Sequence, residues 1–545
     1  MILRRLYLYL VSIAALGVLA FGLISLGDTI LLFAFNRPDA QYSRSSLAGY
    51  TAMVVVAFPV WAVHQWFARR FAHRDSADRG SAIRRLYLYL ACAGSAIGAA
   101  FALSSTVAAA TQQQLDAFAY DPLAVAQSAW ATAVLLAIWV FHYGTAARDR
   151  ALVGEQGSSA TLRRWYMYLA LLVGLLMMLS GAQTLIQVAW VKAVQSLDVY
   201  TPMSSSLGEL VGGALLWGFH ARALATRFAT DDRRSTLRAV EGFIAVGVSI
   251  VAALIGASQI LYYGLARALG VDNPGGLGNN LLAGLAQPAS YVLVYGVAWF
   301  LIRRRLSRDA ASGEAARQAG IRRLYTNLVA LVSMGAFAVG AAGLLGTLAE
   351  LAEAPLIGVG EPSWRDPISL WLTLLIVGGA VWLAHWRQVP WLEERLALSR
   401  RLYVWAALLA SVLAVLGGGI ALLYVVFQQL FSAQPRLNDT ANLAFGQALA
   451  VILVAAAVGI YHWRVMRSDA AARPAKIQAA GEPAETQVVI APPAPTGREV
   501  PSQSAPDGRL FELSVVGATE DDVHQALANL PPKASYKLIP SDHTA

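Results

Sequence analysis

One seven-residue phrase, RRLYLYL, occurs twice in this chain, beginning at residues 4 and 84. Related phrases begin at three further positions, as RRWYMYL at 163, RRLYTNL at 322 and RRLYVWA at 400, and a weaker copy, LRAVEGF, begins at 237. Each copy is followed by a long apolar segment, a polar stretch and a second apolar segment. Recurrence at a nearly fixed period is typical of a repeat architecture. The chain is therefore predicted to consist of six copies of one two-helix unit.

A second marker closes the second apolar segment of each unit. It reads WAVH at 61, WVFH at 139, WGFH at 217, WFLI at 299, WLAH at 382 and GIYH at 459. Five of the six units end on a histidine, and five carry a tryptophan three residues before that position. The fourth unit has Ile302 in place of the histidine and also lacks the arginine–leucine–tyrosine phrase. The five histidines are His64, His142, His220, His385 and His462.

Composition places these units in a membrane. Hydrophobic residues make up 57% of the chain and charged residues 14%, whereas soluble domains carry about 25% charged residues. Apolar stretches of about twenty residues recur from end to end, as in helices that span a bilayer. The sequence predicts an all-α membrane protein with twelve transmembrane helices in six hairpins. Because each hairpin has an even number of spans, the copies are predicted to be parallel repeats.

The markers also predict where the membrane domain ends. The transmembrane domain is predicted over residues 1–468, with a flexible alanine- and proline-rich linker over 469–508. The strings RLFELSVVG, TEDDVHQALANL and ASYKLIP then predict a small β-α-β unit over 509–545. A unit this small does not bury a core alone, so it is expected to dock on a protein partner, a second copy or the membrane domain. The six hairpin repeats are predicted at about 1–78, 79–157, 158–232, 233–316, 317–396 and 397–468.

Positive charge predicts the orientation of the chain. Of its 42 lysines and arginines, 30 lie in the N-terminus, the loops between repeats and the stretch after the last span, and six lie in the loops inside the hairpins. The positive-inside rule then predicts a protein of the cytoplasmic membrane with both termini in the cytoplasm. The repeated phrase is interpreted as an interfacial anchor, in which arginines meet anionic lipid headgroups and tyrosines lie in the aromatic belt. Because the arginines lie at helix ends, no nucleic-acid partner is expected despite the net charge of +9.

Sequence motifs for catalysis are not recognisable. The chain contains no phosphate-binding loop, no H-E-x-x-H pair and no G-x-S-x-G elbow, and its single cysteine, Cys92, forms no intramolecular disulfide. No catalytic residue and no cofactor are predicted. An enzymatic activity is left open, although a non-enzymatic protein is favoured.

The histidines are the one titratable feature that recurs. They could bind metal or haem, or sense pH, if they converged at one depth. Alternatively, they are interfacial aromatic residues whose polar tips reach water. The second interpretation is favoured because no regular acidic partner is recognisable beside them. Changing all five to glutamine is then expected to leave assembly intact.

The fourth unit raises a separate candidate. It places Glu241 where the other units carry an uncharged residue. A carboxylate at membrane depth is a default functional-site hypothesis. The alternative is that a redundant copy has lost its pattern.

Together the tandem R-R-L-Y-x-Y-L units resemble a bacterial multi-pass membrane family of unknown function. The resemblance covers about residues 1–467 and rests on the phrases at 4, 84, 163, 322 and 400. It implies a helical membrane domain and implies no activity, cofactor or site.

Three functions remain open from the sequence. The favoured one is a non-catalytic scaffold or interaction protein that presents basic loops and the small C-terminal unit inside the cell. The second is a transporter or channel with a path between hairpins. The third is a metal- or haem-binding membrane protein that uses the histidines.

Overall fold

Regular structure in this protein is helical. The computed structural model describes residues 2–37, 43–116, 120–195, 203–227, 235–274, 280–311, 316–356, 360, 362–386, 395, 397–431 and 444–481. No strand occurs among these residues. Their twelve long helices, named α1 to α12 in chain order, are Ile2–Ala34, Arg44–Arg74, Ala82–Asp116, Pro122–Val153, Ser158–Gln195, Met203–Arg227, Thr236–Ala268, Ala286–Ala311, Ala316–Glu353, Arg365–His385, Leu398–Phe431 and Ala444–Gly481.

The helices pack as six successive hairpins. Each odd-numbered helix lies against the even-numbered helix that follows it. The hairpins then stack by one rule, in which the first helix of each hairpin contacts the second helix of the next. The five contacts of this kind are α1 on α4, α3 on α6, α5 on α8, α7 on α10 and α9 on α12. The same packing mode recurs between every two successive hairpins because all six hairpins are copies of one sequence unit.

Most of the helices are long and apolar enough to cross a bilayer. Within the described part of the chain, eleven helices meet that requirement by length and composition, and α6 is the one long helix that does not. Serines, glycines and Glu209 in the first half of α6 lower its hydropathy. The chain is therefore an all-α, multi-pass membrane protein.

Glycines permit the closest helix contacts. A Cβ atom added at Gly212 of α6 would lie 2.5 Å from the carbonyl oxygen of Ala100 on α3, and one added at Gly208 would clash with the backbone at Ser104. The two backbones approach this closely only because both α6 positions lack a side chain. Not every glycine has this role, since a Cβ at Gly417 would meet open space.

The end of the membrane unit differs from the prediction. Helix α12 continues to Gly481, so the boundary predicted at 468 is too early and residues 469–481 are helical rather than linker. The string SDAAARPAKIQAAG contains six alanines, the strongest helix former, and the helix continues through Pro474. The rest of the predicted linker and the predicted β-α-β unit at 509–545 lie outside the described residues.

Candidate functional site

Residues of the two sequence markers, the repeated phrase and the tryptophan–histidine ending, form a series of hydrogen bonds across three helices. At the junction of the first two hairpins, the Tyr87 hydroxyl of α3 lies 2.8 Å from Nε2 of His142 on α4. The same hydroxyl accepts a hydrogen bond from the indole N–H of Trp61 on α2, at 3.2 Å. Nδ1 of His142 lies 2.7 Å from the carbonyl oxygen of Ile138, one turn earlier in α4. We call this arrangement the Trp–Tyr–His link.

A second link joins the second and third hairpins. The Tyr166 hydroxyl lies 2.7 Å from Nε2 of His220 and accepts a hydrogen bond from the Trp139 indole at 2.9 Å. Nδ1 of His220 lies 2.8 Å from the carbonyl oxygen of Leu216.

A third link joins the fifth and sixth hairpins. The Tyr403 hydroxyl lies 2.9 Å from Nε2 of His462 and accepts a hydrogen bond from Trp382 at 3.0 Å. In all three links the tyrosine is the first tyrosine of the repeated phrase, and the tryptophan comes from the preceding hairpin.

Donor and acceptor chemistry fixes the direction of each link. An indole nitrogen only donates, so the tyrosine oxygen accepts from it and the tyrosine O–H is directed to the histidine Nε2. A backbone carbonyl only accepts, so the histidine Nδ1 carries the proton. Burial disfavours the charged imidazolium, so each histidine is assigned as a neutral Nδ1–H tautomer with both ring nitrogens in contact with a partner. The three histidines are only 1% exposed, so the predicted contact with water is wrong for them and a tyrosine takes its place.

The other two histidines lie outside such a link. His64 and His385 are half-buried, and each has Nδ1 within 2.9 Å of a carbonyl in its own helix. Their rings contact Tyr7 and Tyr325, at centroid distances of 5.7 and 6.5 Å. The structure thus separates three linked histidines from two unlinked ones.

Glu241 has an ionic partner. It is 3% exposed on α7, and its carboxylate pairs with the guanidinium of Arg305 on α8. Arg305 lies three residues after Ile302, the residue that replaces the histidine in the fourth unit. In the fourth hairpin, an ion pair between the two helices therefore lies near the position at which three other hairpins have a tyrosine–histidine contact. The ion pair gives Glu241 a partner within its own hairpin, and its role as a functional site stays a prediction.

Four of the phrase arginines are buried rather than snorkelling, namely Arg84, Arg85, Arg163 and Arg400. Nε of Arg84, which is 3% exposed, lies 2.6 Å from an Asp149 carboxylate oxygen. Nε of Arg400 lies 2.8 Å from Asp469 in the same arrangement. Each aspartate follows the histidine of its own hairpin by seven residues. The interfacial-anchor interpretation is therefore wrong for these two arginines, because a carboxylate neutralises each one inside the protein.

Glu155, in the loop before α5, contacts further residues of the repeated phrases. It accepts from Arg163 at 2.8 Å and from the Tyr89 hydroxyl at 2.5 Å. Arg85, fully buried, donates to the carbonyl oxygen of Ala146 at 3.0 Å. The Arg163 contact ties the end of the second hairpin to the start of the third, and the other two hold that end against α3 and α4.

An apolar cavity of about 420 Å³ lies between the last two hairpins. Helices α9, α10, α11 and α12 line it, mostly with glycine, alanine and valine. Across the described residues, no group of three or more histidines, cysteines, aspartates or glutamates has the geometry to hold a metal ion.

A family model matches the chain three times, over residues 5–129, 164–297 and 323–457. Its description is "Domain of unknown function (DUF5671)". The chain belongs to the DUF5671 family. The matches begin 159 residues apart, each at the second arginine of a phrase, in the first, third and fifth units. Each match covers one hairpin and part of the next, ending before the histidine-marker position, and the second match includes the first part of the divergent fourth hairpin. No curated protein and no solved structure matches the chain.

Proposed function

We propose that this DUF5671 protein is a non-catalytic scaffold of the cytoplasmic membrane. The observation that carries the proposal is that the recurring polar residues are used in helix packing. Both ring nitrogens of His142, His220 and His462 are occupied, and the phrase arginines Arg84 and Arg400 are paired with aspartates. Buried polar groups that are fully satisfied rigidify a structure and specify one arrangement.

In this proposal the linked ends of the hairpins face the cytoplasm. The charge distribution supports that orientation, because 30 of 42 basic residues lie at those ends. Arginines that are not used in ion pairs then meet anionic headgroups, and the C-terminal segment is free to bind a protein partner or a second copy. Reporters fused near residues 155 and 230 should read cytoplasmic, and reporters near 118 and 200 should read external. The opposite pattern would overturn the orientation.

A functional test compares the scaffold with the transporter alternative. The full chain is reconstituted in liposomes and assayed for uptake of protons, potassium and a mixture of small labelled solutes. We expect fluxes equal to those of protein-free liposomes. A saturable flux that scales with protein content would contradict the scaffold and favour a transporter.

A positive test uses cross-linking in native membranes. The full chain should give a defined cross-linked species, with either a second copy or one partner. A chain that ends at Gly481 keeps all twelve helices and should lose that species. An identical cross-linking pattern for both chains would remove the proposed role of the C-terminal segment.

A further inference from the structure

We infer that the cavity between the fifth and sixth hairpins binds one acyl chain of a membrane lipid. Its volume of about 420 Å³ lies within the range of about 300–1,000 Å³ that is usual for small-molecule sites. The chemistry of the wall, the length of the cavity and the position of its opening each point to a hydrocarbon chain.

The wall offers an occupant little hydrogen bonding. Apart from Trp371, the lining residues that carry side-chain oxygen or nitrogen are Ser411 and Gln447. The Ser411 hydroxyl donates to the carbonyl oxygen of Ala407 at 2.8 Å, and the Gln447 amide donates to Glu350. With the Ser411 hydroxyl and one Gln447 N–H already engaged, the wall offers few groups that could replace the hydration of a polar solute, whereas a hydrocarbon needs none.

The length of the cavity matches one leaflet. Its lining on α12 extends from Gln447 to Val458, which is about 16 Å along a helix at 1.5 Å per residue. The hydrocarbon core of a bilayer is about 30 Å thick, so one leaflet is about 15 Å deep. The cavity begins beside the third Trp–Tyr–His link, because Val458, whose carbonyl oxygen contacts His462, lines it, and it extends away from that link to Gln447. Trp371, an amphipathic residue suited to the headgroup region, lines its far end.

The cavity opens sideways between α9 and α11. Val339 and Ala410 are exposed on that side, the former by 53%. Met334, Ala407 and Ser411 form a buried back wall. A lateral opening at this depth faces acyl chains rather than water, so a lipid chain can enter without crossing a polar layer.

Gly335 provides a direct test. It lines the cavity, and a Cβ added there would meet nothing within 4 Å. Gly335→Leu should therefore fill the cavity without displacing a neighbour. The matched control is Gly417→Leu, because Gly417 also faces open space but is not among the lining residues. Both changes replace a helical glycine, so their effects on helix propensity are equal.

The experiment measures bound phospholipid by native mass spectrometry of the full chain purified from nanodiscs into mild detergent. The parent protein and Gly417→Leu should retain about one phospholipid per chain. Gly335→Leu should lose most of this bound phospholipid, because its side chain would take up the space that the acyl chain occupies. Equal occupancy in all three proteins, or none in the parent, would overturn the inference.

A second variant and a second ligand class keep the test decisive. If Gly335→Leu is not monodisperse, Ala414→Leu on the opposite wall should give the same loss. Solvent extracts of the parent are also analysed for isoprenoid quinones by absorbance. A quinone in place of phospholipid, displaced by the same variants, would contradict the acyl-chain assignment.

Discussion

Tyr166→Phe isolates the contribution of one Trp–Tyr–His link. The change removes the hydroxyl that accepts from Trp139 at 2.9 Å and lies 2.7 Å from His220, while the aromatic ring stays in place. Two hydrogen bonds are lost, and Nε2 of a histidine that is 1% exposed is left without a partner. Hydrogen bonds between membrane helices contribute on average about 0.6 kcal/mol, and at most about 1.7. An orphaned buried group costs about 1–3 kcal/mol. We expect the free energy of unfolding to fall by about 1–3 kcal/mol.

The measurement is equilibrium unfolding in mixed micelles of increasing SDS fraction, followed by tryptophan fluorescence. Tyr7→Phe is the matched control, because Tyr7 holds the same position in the phrase and is 61% exposed. The control should change stability by less than about 0.5 kcal/mol, as expected of surface substitutions. If Tyr166→Phe changed the free energy of unfolding as little as the control does, the link would not stabilise the fold.

Three further predictions follow from the same contacts. His220→Gln should lower the free energy of unfolding by about 1–3 kcal/mol, whereas His64→Gln should leave it unchanged. Unfolding of both variants in SDS measures the difference, which the sequence-based expectation for the five histidines did not include. Arg84→Leu should lower the free energy of unfolding by about 3–5 kcal/mol, because it leaves the buried Asp149 carboxylate without its main partner. Adding Asp149→Leu should restore much of that stability. No recovery in the unfolding assay would contradict the pairing. Gly212→Ala should separate α3 from α6 and lower the midpoint of thermal unfolding, and an unchanged midpoint would show that the helices are not in close contact.

The hairpin architecture was accessible from sequence because its signals are local. The phrase and the final histidine each mark a helix end, and the predicted start of the third repeat at 158 coincides with the start of α5 at Ser158. Hydropathy therefore predicted the correct helical membrane class. The part of α12 after Arg467 is not apolar, so hydropathy gave no indication that the helix continues to Gly481.

The Trp–Tyr–His link was not accessible by the same means. Its three residues are separated by 26 and 55 positions in the first link, and only the stacking of hairpins brings them together. One signal for the buried arginines was present. An aspartate follows the histidine by seven residues in the second and sixth units, which places Asp149 and Asp469 two turns further along the same helix face. The interpretation of the arginines as lipid anchors did not take these two aspartates into account.

The central claim is that the two repeated markers form one energetic unit, and a double-mutant cycle at the third link tests it most directly. Trp382→Phe, Tyr403→Phe and the double variant are unfolded in SDS beside the parent protein. Because Trp382 donates to the Tyr403 hydroxyl at 3.0 Å, we predict a coupling energy of about 0.5–1.5 kcal/mol between the two changes. Strictly additive effects would contradict the account.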